Sequence, residues 1–170
     1  MSAGAARVRR DAAPFTLRFS VAGARDPALP ARATLRRWVR LALALPATRG
    51  APQRRRAGAA PAEISLAFVD GRTGRRLNRE FRGRDYATNV LTFAYQRQPS
   101  LAADIVICLP VLRREAREQG KTLRQHLAHL LVHGVLHAQG YDHVRDKDAR
   151  VMQARESTLL AQLRIPDPYA

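Results

Sequence analysis

Cysteine is nearly absent from this chain. Cys108 is the only one, which excludes an intrachain disulfide and fits a reducing compartment. Long apolar runs are missing too: none approaches the roughly 18 residues of a membrane span. The opening MSAGAARVRR lacks the apolar segment of a secretory signal. These features predict a cytoplasmic protein with no membrane partner. Lysine is scarce: only Lys121 and Lys147 interrupt the arginines among 30 basic residues. Acidic residues number 14, which leaves a formal net charge of +16. Such a field favours polyanions, nucleic acid first and an anionic membrane second. A coding bias toward arginine is the bland alternative. The charge is uneven, with 13 arginines against two aspartates in residues 1–60, a net +11, and 17 basic against 12 acidic residues in the rest, a net +5.

What is present suits one domain, since 170 residues can bury one core but not two comfortable ones. Residues 1–13 read as a disordered lead-in to a single domain over 14–170. FTLRFSV (15–21) alternates as a half-buried strand does. ARATLRRWVRLALAL (31–45) spaces Leu35, Trp38, Val39, Leu41 and Leu45 helically and is followed by Pro46. ATRGAPQRRRAGAAP (47–61) reads as an exposed arginine-rich loop. EISLAFVD (63–70) reads as a strand, and GRRLNREF (74–81) as a helix with Thr73 as its cap. VLTFAY (90–95) and ADIVIC (103–108) are β-branched strands. Helices are expected over 109–120, 122–140 (capped by Thr122 and ended by Gly140) and 146–163. The order predicts an α+β domain, a small mixed sheet of about four strands packed with about five helices.

HGVLHAQGYDH (133–143) carries the chemistry. On a helix, residues four apart share a face, so His133 and His137 can reach one metal ion. Gly140 permits a sharp turn, after which His143 can supply a third nitrogen. Three imidazoles leave a fourth tetrahedral position open, the pattern of catalytic rather than structural zinc. His126 and His129 approach the same face. A 129/133/137 triad fails, however, because His129 and His137 are roughly 12 Å apart along the axis, too far for Zn–N bonds of about 2 Å. His129 and Asp142 are instead candidates to support the ligands or line the cleft. Nickel and cobalt also accept imidazole. The spacing is that of the H-E-x-x-H-x-x-G-x-x-H zinc proteases. Their catalytic glutamate is replaced by Gly134, which cannot abstract a proton.

The motif resembles the H-G-x-L-H-x-x-G-Y-D-H signature of the YbeY family. LNREFRGRDYATNVLTFAY (77–95) is similar to that family's L-N-x-x-Y-R-G-x-D-x-x-T-N-V-L-S-F stretch. ADIVIC and the closing PDPY (166–169) match in the same order. Phe81, Thr92 and Ala103 depart from the commoner Tyr, Ser and Gly. The resemblance implies a zinc-dependent endoribonuclease of ribosomal RNA maturation and ribosome quality control, acting on single strands. It implies His133, His137 and His143 as ligands of one Zn²⁺, and Arg82 as the functional arginine. Asp104, in the 103–108 strand, joins the candidates for the cleft. The implied partners are RNA (rRNA precursors and ribosomal particles), with ribosomal proteins or GTPases as further ones. Without the resemblance, Arg82 reads first as a structural ion-pair partner, of Asp85 for example. Two other functions also remain open on the residues alone: a metal hydrolase of another substrate, and an RNA-binding factor with structural zinc.

Overall fold

The computed structural model describes residues 15–22, 26–44, 61–97 and 100–170. The lead-in expected at 1–13, Leu45, Pro46, and residues 47–60 of the arginine-rich segment lie outside them. Strands β1 (Phe15–Ala22), β2 (Ala62–Val69), β3 (Val90–Gln96) and β4 (Ala102–Cys108) form one sheet in the order β1-β2-β4-β3. β2 runs parallel to both β1 and β4, whereas β3 pairs antiparallel with β4. Helices α1 (Arg32–Ala44), α2 (Gly71–Arg82), α3 (Leu109–Glu118), α4 (Leu123–Ala138) and α5 (Asp146–Gln162) complete the described residues. The domain is therefore α+β with a mixed sheet, as the sequence predicts.

Strand alternation divides the core between two faces. Ile64, Leu66, Ile105 and Ile107 point one way, into a core shared with Trp38 and Val39 of α1, Leu131 and Val135 of α4, and Leu159 and Leu160 of α5. Val69, Val106 and Cys108 point the other way, where Leu91, Val111 and Leu77 of α2 join them. α4 is the central helix, in contact with α1, α3, α5 and the β3–β4 pair. Its run LAHLLVHGVLHA is apolar nearly all round because it is enclosed nearly all round. A capping box starts it: Thr122 Oγ1 accepts the Gln125 N–H at 3.2 Å, and Gln125 Oε1 accepts the Thr122 N–H at 2.8 Å.

Two glycines bring helices unusually close to β4, one on each face. A Cβ on Gly134 of α4 would lie 3.0 Å from Ile105 Cγ2 and 3.2 Å from Thr92 Oγ1. A Cβ on Gly74 of α2 would lie 2.9 Å from Cys108 Sγ.

α2 corrects the sequence reading. It begins at Gly71, not Gly74, and its cap is Asp70, whose Oδ1 accepts the Thr73 N–H at 2.7 Å. β2 has already ended at Val69, and Gly71 opens the helix. The carboxylate takes up an N–H that a first helical turn leaves unpaired, and Thr73 already lies within that turn.

Candidate metal centre and cleft

Each side of the site is built by local rules. His133 and His137 project from the last two turns of α4. The helix ends in two nested bonds, Gly140 N–H to His137 O at 2.9 Å and Tyr141 N–H to Leu136 O at 3.1 Å. Gly140 holds φ 96°, a left-handed conformation that favours glycine at this position. The chain reverses, buried Tyr141 anchors the turn, and Asp142 Oδ1 accepts the His143 N–H at 2.7 Å. His143 thereby returns to the helix end. One nitrogen from each of His133, His137 and His143 lies within 4.8 Å of the others, so the three could hold one metal ion.

The donor set fits such an ion. Burial, helped by repulsion from His133 and His143, pushes the His137 pKa down to about 4, so its imidazole is neutral at pH 7. Metal ligation needs neutral imidazole. His133 Nδ1 lies 2.7 Å from Glu156 Oε1. An ionised carboxylate only accepts hydrogen bonds, so Nδ1 carries the proton and Nε2 keeps its lone pair for a metal. Glu156 of α5 is fully buried. Burial opposes its ionisation, but hydrogen bonds from His129, His133 and Tyr169 outweigh that and hold its pKa at about 2. The sequence reading did not single out Glu156. Its signal was a lone carboxylate on the apolar stripe of α5, four residues from both Met152 and Leu160.

The triad opens into a cleft of about 780 Å³. Arg82, Arg84, Tyr86, Asn89 and Arg97 line it, and Asp142 is the only acid among its lining residues. Arg82 is exposed at the end of α2, and among the described residues no carboxylate pairs with it. The loop that follows is fixed from beneath. Buried Asn78 donates from Nδ2 to Tyr86 O at 2.8 Å. Asn89 accepts the Val90 N–H at 2.6 Å and donates to Glu115 Oε2 at 2.9 Å, and the same oxygen lies 2.8 Å from Nε2 of buried His126.

The remaining candidates divide by location. His129 stays outside the triad, with Nε2 3.3 Å from Glu156 Oε2, so it touches the carboxylate that touches His133. Asp142 sits in the cleft wall and bonds the turn backbone. Asp104 lies on the far face of the sheet, away from α4, where it accepts the Tyr95 hydroxyl at 2.6 Å. Its neighbours Ala103 and Ile105 face the main core, so alternation turns Asp104 from the triad. No described helix is long and apolar enough to cross a membrane.

An α+β fold that gathers three imidazoles at the mouth of an arginine-lined cleft defines a protein with a candidate metal centre in a positively charged cleft. Comparison with known proteins carries this further. The family model described as Endoribonuclease YbeY matches residues 30–164. An Endoribonuclease YbeY of Bordetella pertussis is 56% identical over 157 residues, 91% of this chain and 94% of that protein. One of Delftia acidovorans is 49% identical over 144 residues, 84% of this chain and 85% of that protein. The chain belongs to the YbeY family. The solution structure of TM1509 from Thermotoga maritima shares its fold, with a TM-score of 0.54 at 21% identity, covering 90% of this chain and 98% of that one.

Proposed function

We propose that this protein is a zinc-dependent endoribonuclease that cleaves single-stranded stretches of ribosomal RNA precursors in the cytoplasm. The observation that carries the reading is the opening of the histidine triad into a cleft whose charged lining is almost wholly arginine. His133, His137 and His143 would hold the ion. When bound, zinc polarises a phosphoryl oxygen and makes a water more acidic. Arg82 presents a planar guanidinium, free of any described carboxylate, to the scissile phosphate and to the charge that builds on it. Arg84, in the loop after α2, and Arg97, just beyond β3, extend the same positive wall. Tyr86, 52% exposed, offers a ring for an unpaired base to stack on.

Gly134 supports phosphodiester over peptide chemistry. The zinc proteases with this spacing place a glutamate there as general base. Here a Cβ would lie 3.0 Å from Ile105 Cγ2 and 3.2 Å from Thr92 Oγ1, so a carboxylate side chain would have to displace both. A phosphodiester substrate asks instead for cations around the phosphate, which the cleft supplies. Ribosomal particles, their proteins and an associated GTPase are the partners proposed with this reading, and the net charge of +16 favours such RNA-rich assemblies.

The test compares rRNA processing in cells carrying wild-type protein or His133→Ala, with purified proteins checked for folding and zinc. The expected result is a folded, zinc-poor variant whose cells accumulate unprocessed rRNA ends. Normal processing despite zinc loss would overturn the reading. So would zinc-dependent turnover of casein or a simple ester by a protein inert toward RNA.

A further inference from the structure

The segment after α5 folds back against the helix instead of continuing away from it. Arg164 takes φ 58°, a left-handed conformation that costs energy for any residue with a Cβ. Its N–H reaches Ala161 O at 3.0 Å, and the Ile165 N–H reaches Leu160 O at 3.0 Å. Buried Ile165 pins the reversal. Asp167 Oδ1 then accepts both the Ser157 hydroxyl at 2.8 Å and the Tyr169 N–H at 3.0 Å. These contacts aim one side chain inward. The Tyr169 hydroxyl donates to Glu156 Oε2, while its ring meets His129 edge-on with centroids 5.7 Å apart. Partial burial, then hydrogen bonding to the charged carboxylate, raise the Tyr169 pKa, so the phenol keeps its proton and remains a donor.

Glu156 has two oxygens with different tasks. Oε2 receives Tyr169 and His129, and Oε1 receives His133 Nδ1. A fully buried carboxylate is retained only where it is paired and hydrogen-bonded. Of its three partners, Tyr169 belongs to the fold-back segment, His133 to the histidine triad, and His129 lies between them on α4.

We infer that Tyr169 and Glu156 are positioning residues for the metal centre: the phenol orients the carboxylate, and the carboxylate holds His133 with Nδ1 protonated and Nε2 bare toward His137 and His143. This inference rests on the triad being the metal site. Carboxylate–histidine–metal arrangements fix both the tautomer and the ring orientation of the ligand, and loss of the outer partner typically costs 10- to 100-fold in affinity. The added element here is the tyrosine behind the carboxylate, delivered by a segment more than twenty residues beyond the last histidine of the triad.

The experiment uses the full chain, wild type, Y169F and E156Q. In metal-free protein, nitrogen NMR reads the His133 tautomer; in metal-loaded protein, chelator competition reads the Zn²⁺ dissociation constant. Thermal unfolding of each metal-free variant reports the fold. Wild type is expected to show His133 protonated at Nδ1. E156Q should lose that single tautomer and bind zinc roughly 10- to 100-fold more weakly. Y169F should shift both readouts the same way by less, with its unfolding midpoint near that of wild type. Folded variants with the wild-type tautomer and wild-type zinc affinity would overturn the relay. If E156Q fails to fold, Y169F decides by the same two readouts. A wild-type protein that binds no zinc would sink the metal reading alone, and the tautomer in Y169F would still judge the relay.

Discussion

Arg75, not Arg82, holds Asp85: its Nε and Nη2 lie 2.9 and 2.6 Å from the two carboxylate oxygens. The pairing matters for the residue left over. From sequence alone Arg82 could have been the partner of that aspartate, and a paired guanidinium is a poor phosphate ligand. With Asp85 claimed from the preceding helical turns, Arg82 faces the cleft without a described acidic partner. Arg82→Ala should therefore lower RNA cleavage about 100- to 1,000-fold while leaving zinc content and unfolding midpoint unchanged. Arg82→Lys restores charge without the planar fork and should recover only part of the loss. Single-turnover cleavage of a labelled single-stranded RNA, with zinc measured on the same samples, checks both.

His143 stands apart from its two companions because it lies beyond the helix and is exposed. His143→Ala should weaken zinc binding sharply but change the stability of the metal-free protein by less than about 0.5 kcal/mol, as for other exposed substitutions. Chelator competition and urea unfolding give the two numbers. A large loss of metal-free stability would mean that the turn, and not the ion, needs this side chain.

Gly134→Glu, which would restore the protease spacing, should fail as a gain of function. The new side chain would have to enter a helix–sheet contact already tight at the Cβ, with a buried unpaired carboxylate in addition. We expect a loss of at least about 3 kcal/mol in unfolding free energy, from overpacking and charge burial together. No peptidase activity should appear. A folded variant that hydrolyses casein would refute the packing account of this glycine.

His126 makes stability depend on pH. Burial pushes its pKa below the usual 6.5, against the hydrogen bond to Glu115, which raises it. The unfolded chain then binds a proton more readily than the folded one. The contribution of His126 is complete above about pH 6.5 and is lost as pH falls below it toward the folded value. Unfolding free energies from pH 7 downward should fall more steeply for wild type than for His126→Gln. Equal slopes would show that this histidine titrates alike in both states.

The sequence made the triad legible because ligation imposes a spacing: four residues on one helix face, then a glycine turn. Strands β2, β3 and β4 were legible as apolar β-branched runs, and α4 as a long apolar segment between a cap and a glycine. Glu156 was not, since its contact with His133 spans 23 residues of chain and is set by how α5 lies on α4. The cap of α2 was assigned three residues late, to Thr73, because Asp70 reads as the last residue of the EISLAFVD strand. Asp104 shows a different limit. Its neighbours Ala103 and Ile105 are core residues, and strict alternation already implied that it faces away from the triad.

α2 carries Arg82, and α4 carries His133 and His137. Gly74 seats the first helix on Cys108 and Gly134 seats the second on Ile105, from opposite faces of the same strand. β4 thus lies between the helix that carries Arg82 and the helix that carries His133 and His137. Neither Cys108 nor Ile105 lines the cleft. Enlarging either would nonetheless alter the gauge of the cleft, as a shim alters a vice, and shift Arg82 against the histidines without changing any residue of the lining.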